Sequence, residues 1–186
     1  QISQLSDRWG TADEDFYIVG KRIFDSTSSL YHYDGSGWTR PADAIIAGKT
    51  FNRIFGSGDD LFVSSTDGDF YSFNLTDGLD PINSAVSLSA LYDSWVFADD
   101  DIYAAGENRT LLHYDGSAWT ALPPDPLLGL EADAVFEQLW GDPAGNLFLY
   151  AGGNEIILYD ASTDSWDSIS VNVTLDHFAA LSPTMI

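Results

Sequence analysis

One ten-residue stretch of this chain occurs twice with only two positions changed. Leu30-Tyr31-His32-Tyr33-Asp34-Gly35-Ser36-Gly37-Trp38-Thr39 returns as Leu111-Leu112-His113-Tyr114-Asp115-Gly116-Ser117-Ala118-Trp119-Thr120. Internal repetition at a fixed period restricts the architecture more than any local propensity does, because each repeat must then be one unit that stacks on its neighbours. A looser copy is Ile157-Leu158-Tyr159-Asp160 leading to Trp166, and a degenerate one is Phe70-Tyr71-Ser72-Phe73-Asn74. Ahead of each copy lie an aromatic residue, an acidic or polar turn and a short apolar run: Trp9-Gly10 before Asp15 to Gly20, Phe55-Gly56 before Asp60 to Val63, Trp95 before Asp101 to Gly106, and Trp140-Gly141 before Asn146 to Tyr150. The leading aromatics stand 46, 40 and 45 residues apart.

Four short strands separated by Asp, Gly, Ser and Asn turns, recurring every 40 to 50 residues or so, form the sequence pattern of a β-propeller blade. Of the 29 acids 24 are Asp, a residue that favours turns where Glu favours helices. The expected fold is all-β: a single domain over 1–186, built from four four-stranded blades of about 45 residues. The units lie at about 5–45, 50–85, 90–125 and 135–170, with a surplus C-terminal strand at 174–182. A blade has two apolar faces it cannot bury alone, so blades stack face to face. Trp38, Trp119 and Trp166 are expected in the outer part of these contacts, and Trp9, Phe55, Trp95 and Trp140 in the inner part. Gly10, Gly56 and Gly141 are expected to permit close approach, a place taken by Val96 in the third unit. Only Ala42 to Ala47 and Leu127 to Gln138 could carry a helical turn.

The pattern of aromatic-Gly, acidic turn, Asp-apolar-Tyr-x-x-Gly and then Leu-x-His-Tyr-Asp-Gly-x-x-Trp resembles the propeller repeats of secreted and surface proteins of bacteria, Kelch-like or sialidase-like in appearance. The resemblance runs from about Leu5 to Trp166; the second unit departs from it, lacking both the His-Tyr-Asp-Gly turn and the late Trp. It implies an extracellular or cell-surface propeller that serves as a binding or structural module, and it implies no particular ligand.

Leu175-Asp176-His177-Phe178-Ala179 echoes Ser6-Asp7-Arg8-Trp9-Gly10, the entry strand of a unit. The surplus strand, with Leu175, Phe178 and Leu181 as its apolar residues, reads as an extra strand of a four-bladed ring, as the start of a further blade, or as a strand donated to another copy of the chain. Donation completes a neighbour's sheet and yields a homo-oligomer, or a filament if the head-to-tail contact does not close. The chain opens at Gln1 with neither Met nor a basic and apolar leader, which reads as a processed chain or an excerpt of a longer one.

Charge removes several classes of partner. With 29 acids against 7 bases the formal charge is −22, so nucleic acid and anionic membrane surfaces are repelled. No apolar run has the length of a membrane helix, so membrane insertion is not expected. There is no Cys, hence no disulfide, zinc-thiolate site or Cys nucleophile.

Candidate chemistry is sparse. His32 and His113 occupy one repeat position, which Ser72 and Leu158 fill elsewhere, so each is expected to make the same local hydrogen bond in its own blade. None of the acidic clusters has the ligand spacing of a Ca²⁺ loop; Asp99, Asp100 and Asp101 are the candidates for weak Ca²⁺ binding, and no other cofactor is expected. No Gly-x-Ser-x-Gly elbow, phosphate-binding glycine loop or His-Glu-x-x-His pair is present, and the five Arg are scattered, so no catalytic residue is assigned and the chain is read as a non-enzyme. Three N-glycosylation triplets begin at Asn74, Asn108 and Asn172. Tyr31 and Tyr103 are the rings that could stack on a sugar. The functional expectation is an extracellular structural or interaction module whose partners are copies of itself, glycans or surface proteins. The alternatives are a carbohydrate- or protein-binding propeller of the lectin or adhesion type, and a glycosidase-like fragment.

Overall fold

The structure, a computed structural model, describes residues 2–12, 14–22, 28–41, 48–57, 60–75, 78–82 and 89–171. The expected strand 174–182 with Leu175, Phe178 and Leu181, the triplet at Asn172, and Ala42 to Ala47 lie outside them.

Alternating apolar residues between Asp- and Gly-bearing turns give sixteen strands among the described residues, in four antiparallel sheets. The first sheet is β1 (Ile2–Ala12), β2 (Asp15–Arg22), β3 (Ser28–Tyr33) and β4 (Trp38–Thr39). The second is β5 (Phe51–Ser57), β6 (Asp60–Ser65), β7 (Phe70–Asn74) and β8 (Gly78–Pro81). The third is β9 (Leu91–Ala98), β10 (Asp101–Gly106), β11 (Leu111–Tyr114) and β12 (Trp119–Ala121). The fourth is β13 (Gln138–Gly141), β14 (Asn146–Tyr150), β15 (Glu155–Asp160) and β16 (Ser165–Ser170). In each sheet the spatial order is the sequence order, so every sheet is a meander of hairpins. The second unit closes its outer strand β8 despite lacking the repeat motif, and Leu79 supplies apolar packing there. The segment Leu127 to Gln138 begins in a short 3-10 turn, Pro126–Leu128, and carries no α-helix.

The repeated Asp-Gly-Ser turns have a local cause. Asp34 Oδ1 accepts hydrogen bonds from the Ser36 hydroxyl (2.7 Å) and from the amides of Ser36 and Gly37 (both 2.9 Å). Asp115 does the same with Ser117 and Ala118, and Asp160 with Ser162 and Thr163. Gly35 and Gly116 sit at φ of 81° and 85°, a region that side chains resist. The Ser36 hydroxyl, with the two amides, holds the Asp34 carboxyl at about 2, and the Ser117 hydroxyl holds Asp115 at about 2.

Three apolar layers lie between the four sheets. Tyr17, Val19 and Leu30 of the first meet Ile54, Leu61, Val63, Tyr71 and Phe73 of the second. Phe55, Phe62 and Phe70 of the second meet Ile102, Ala104, Leu112 and Trp119 of the third. Tyr103, Ala105 and Leu111 of the third meet Leu139, Leu147, Leu149, Ile157 and Tyr159 of the fourth. Burying a Leu or Phe side chain contributes roughly 1.5–3 kcal/mol, so these layers hold the stack together. The inner strands run in series, β1 on β5, β5 on β9 and β9 on β13. Among the described residues β13 is not packed along β1. The four blades form an arc.

Candidate functional site

The repeated His residues serve the fold. His32 Nε2 lies 2.7 Å from Asp15 Oδ1 and its ring stacks on Tyr17 at 4.3 Å. His113 repeats both contacts, with Asp101 at 2.8 Å and Tyr103 at 4.4 Å. Each is a clamp across its own blade, as the shared repeat position implies. The same contact occupies Asp101, while Asp99 and Asp100 lie in the turn before β10, with Asp100 packed beside Gly116. Among the described residues no group of three His, Asp or Glu side chains gathers to hold a metal ion.

Tyr103, read as a ring for sugars, is instead buried in the third layer beneath His113, whereas Tyr31 is half-buried on the outer side of the first blade. Asn74 and Asn108 are both exposed, and the Asn108 amide donates to Ser89 Oγ at 2.9 Å.

Contacts between neighbouring inner strands were not legible as such. Asp7 Oδ2 accepts the Ile54 amide hydrogen at 3.1 Å, with Arg53 Nη1 3.8 Å from its other oxygen. Asp93 Oδ2 accepts the Leu139 amide hydrogen at 2.8 Å, and burial pushes the Asp93 carboxyl up. Between the second and third blades Asn52 takes this role and donates to Leu91 O at 2.6 Å. A signal was present in the sequence, since Asp stands two places before the leading Trp in the first and third units. Trp9 Nε1 also donates to Gly56 O at 2.9 Å, and the Trp95 indole lies where a Cβ on Gly141 would be, which is the close approach expected of these two glycines. Gly10 has a different reason: a Cβ there would strike Phe16 within the same sheet.

The late Trp residues diverge. Trp119 is 7% exposed, seated edge-on against Phe62 (5.1 Å) and Phe70 (5.0 Å) of the preceding blade and 6.2 Å from Phe55. Trp166 is partly buried beside Tyr159 in the third layer. Trp38, expected to pack between blades, is 51% exposed. The reason is positional: this side of the first sheet has no described blade against it. Directly paired residues share a face, so Trp38, Tyr33 and Phe16 stand together on that side, and so do Tyr31, Ile18 and Arg8. Phe16, Tyr33 and Trp38 form a triad with ring centroids 5.3 to 5.4 Å apart. Leu5, paired with Gly20 on the same side, is 56% exposed. The corresponding face of the third blade, made of Ile102, Ala104 and Leu112, is fully buried. This uncovered aromatic and aliphatic face is the candidate site.

No protein-family model matches the chain, and no curated protein does. Solved structures do. YCF48 from Cyanidioschyzon merolae aligns with a TM-score of 0.65 and 14% identity over 91% of this chain and 57% of its own. YCF48 bound to D1 peptide gives 0.61 and 12% over 90% and 54%, and U3-55K gives 0.65 and 10% over 91% and 52%. The fold is that of a β-propeller. The chain spans little more than half the length of each of these structures.

Proposed function

We propose that the chain is a non-enzymatic interaction module that engages protein partners through the uncovered face of its first blade and acts outside the cell or at its surface. One observation carries the reading. Trp38 occupies the strand position at which Trp119 is buried among three Phe rings, yet it is half exposed with Phe16 and Tyr33 beside it. Aromatic rings on a rigid sheet are the residue type that anchors protein interfaces, and Arg8, exposed on the same side of the sheet, supplies a charged rim. The solved complex of a similar propeller, YCF48, with D1 peptide supports a polypeptide as the partner class. The extracellular setting rests on the repeat resemblance and on the exposure of Asn74 and Asn108, each the first residue of a triplet.

The test is selection of displayed peptides on the immobilised chain, with counter-selection on the Trp38→Ser variant. Binders that require Trp38 are the expected result, and a selection yielding none that distinguishes the two proteins would count against the reading. Intact-mass analysis of material from its native source addresses the setting, with added hexose and N-acetylhexosamine mass on Asn74 or Asn108 expected.

A further inference from the structure

We infer that the outer edge of the fourth blade is a second interaction surface, along which an extended basic segment of another protein adds as a fifth strand beside β16. It lies at the other end of the arc from the first-blade face, and neither site requires the other.

The outer strands are unequal. β4 has two residues, β12 three, and β8 four ending in Pro81, so these three edges are cut short in the way that discourages strand addition. β16 has six, all paired with β15, and contains no Pro, Gly, Lys or Arg. Register fixes which of its backbone groups point outward. The Val171 amide donates to Asn154 O at 2.7 Å, one place beyond the pair of Glu155 and Ser170. Bonded and non-bonded pairs alternate along an antiparallel ladder. Ser165, Asp167 and Ile169 therefore turn their N–H and C=O groups toward β15, and Trp166, Ser168 and Ser170 turn theirs away. The Ser168 amide agrees, since it donates to Asp167 Oδ1 at 2.8 Å. Among the described residues nothing bonds to the outward groups of Trp166 and Ser170, and every residue of β16 except Trp166 is exposed. An incoming strand meets these groups with matching backbone donors and acceptors.

Side chains and charge specify the segment. Ile169 is 45% exposed and Leu127 is 92% exposed. Leu127 belongs to the 3-10 turn that packs beside β16, where Asp125 Oδ1 accepts its amide hydrogen at 2.8 Å and Leu128 is anchored in the third layer with Trp166. Residues 123–170 carry nine acids and no Lys or Arg. Two copies joined edge to edge would set Asp167 and the rest of this acidic stretch against themselves, whereas Lys or Arg side chains on a foreign strand pair with it. The partner that fits is an extended stretch in which β-branched residues are interspersed with basic ones.

The experiment titrates the full chain with a fluorescent peptide of about eight residues built from Val, Thr and Lys, long enough to span β16. Polarisation gives the affinity, and NMR amide exchange locates the contact. Binding that falls with added salt and slows exchange at the Trp166 and Ser170 amides is expected. Ser168→Pro removes only an outward N–H, at a place where an edge strand accepts Pro, and is expected to weaken binding by at least about tenfold. Two peptides N-methylated on alternate sets of amides test the same bonds without altering the protein. One set must face β16, and its methylation is expected to abolish binding. The peptide with Glu in place of Lys is expected not to bind, and Trp38→Ser is expected to bind as wild type does. No binding at millimolar peptide, binding unaffected by a folded Ser168→Pro or by both methylation patterns, equal binding of the Glu peptide, or loss of binding in Trp38→Ser would each overturn the inference. A wild-type dimer that Ser168→Pro dissociates would overturn it too, by making a second copy the occupant.

Discussion

The Asp93 carboxylate reaches out of its own blade to accept the Leu139 amide hydrogen of the next at 2.8 Å. Asp7 and Ile54 repeat the arrangement two junctions earlier, between the first and second blades. Burial pushes the Asp93 carboxyl up, so its charged form is disfavoured in the folded state relative to the unfolded chain.

The two features separate on mutation. Asp93→Ala leaves the Leu139 N–H without its acceptor and is expected to cost about 1–3 kcal/mol. Asp93→Asn keeps an acceptor and removes the buried charge, so its loss is expected to be smaller at pH 7. A folded pKa above the unfolded one means that the penalty is present at neutral pH and disappears as pH falls below the unfolded value. Urea denaturation at pH 7 and pH 4 checks this, with the gap between Asn and wild type changing toward wild type at the lower pH.

The turn carboxylates move the opposite way. Asp34 and Asp115 are held at about 2, first by the hydroxyls of Ser36 and Ser117 and then by backbone amides, and Asp160 is lowered chiefly by Ser162. Their depressed folded values contribute stability that is present above the unfolded pKa and lost as pH falls from about 4 toward 2. Carboxyl NMR titration of Ser36→Ala should move Asp34 upward toward the usual range of about 3.9 while leaving Asp115 in place.

Trp119→Ala is expected to cost about 3–5 kcal/mol, because it opens a cavity among Phe55, Phe62 and Phe70. Trp38→Ala at low protein concentration is expected to change thermal unfolding stability by no more than about 0.5 kcal/mol, the range of surface substitutions. Equal losses at both positions would contradict the difference in their surroundings.

Gly141→Ala places a Cβ into the Trp95 indole and the edge of Phe97 and is expected to destabilise by about 1–3 kcal/mol. Gly37→Ala meets nothing within 4 Å and serves as the control, expected within about 0.5 kcal/mol of wild type. Chemical denaturation midpoints of the two variants make the comparison.

The repeat made the blades legible because each hairpin is local: aromatic, turn and apolar run fix a strand pair without reference to distant residues. His32 and His113 were legible for the same reason, since their partners Asp15 and Asp101 open the preceding strand. What repetition conceals is position in the array. It assigns every late Trp the same neighbour, and so Trp38 read as packing residue like Trp119, although only the terminal unit lacks a blade on that side. The carboxylate caps at Ile54 and Leu139 were hidden because they join residues 47 and 46 positions apart, a span set by blade stacking.

Hairpin-only topology also bears on how the protein reaches its native state. Among the described residues each sheet joins only strands consecutive in the chain, so within a sheet contact order is low and each blade closes small loops. Blade stacking then propagates between nearest neighbours, in the manner of a one-dimensional array. Amide exchange should follow this order. Protection is greatest in the middle blades, with a neighbour on each side, and least in β4, whose two residues meet solvent on the uncovered flank.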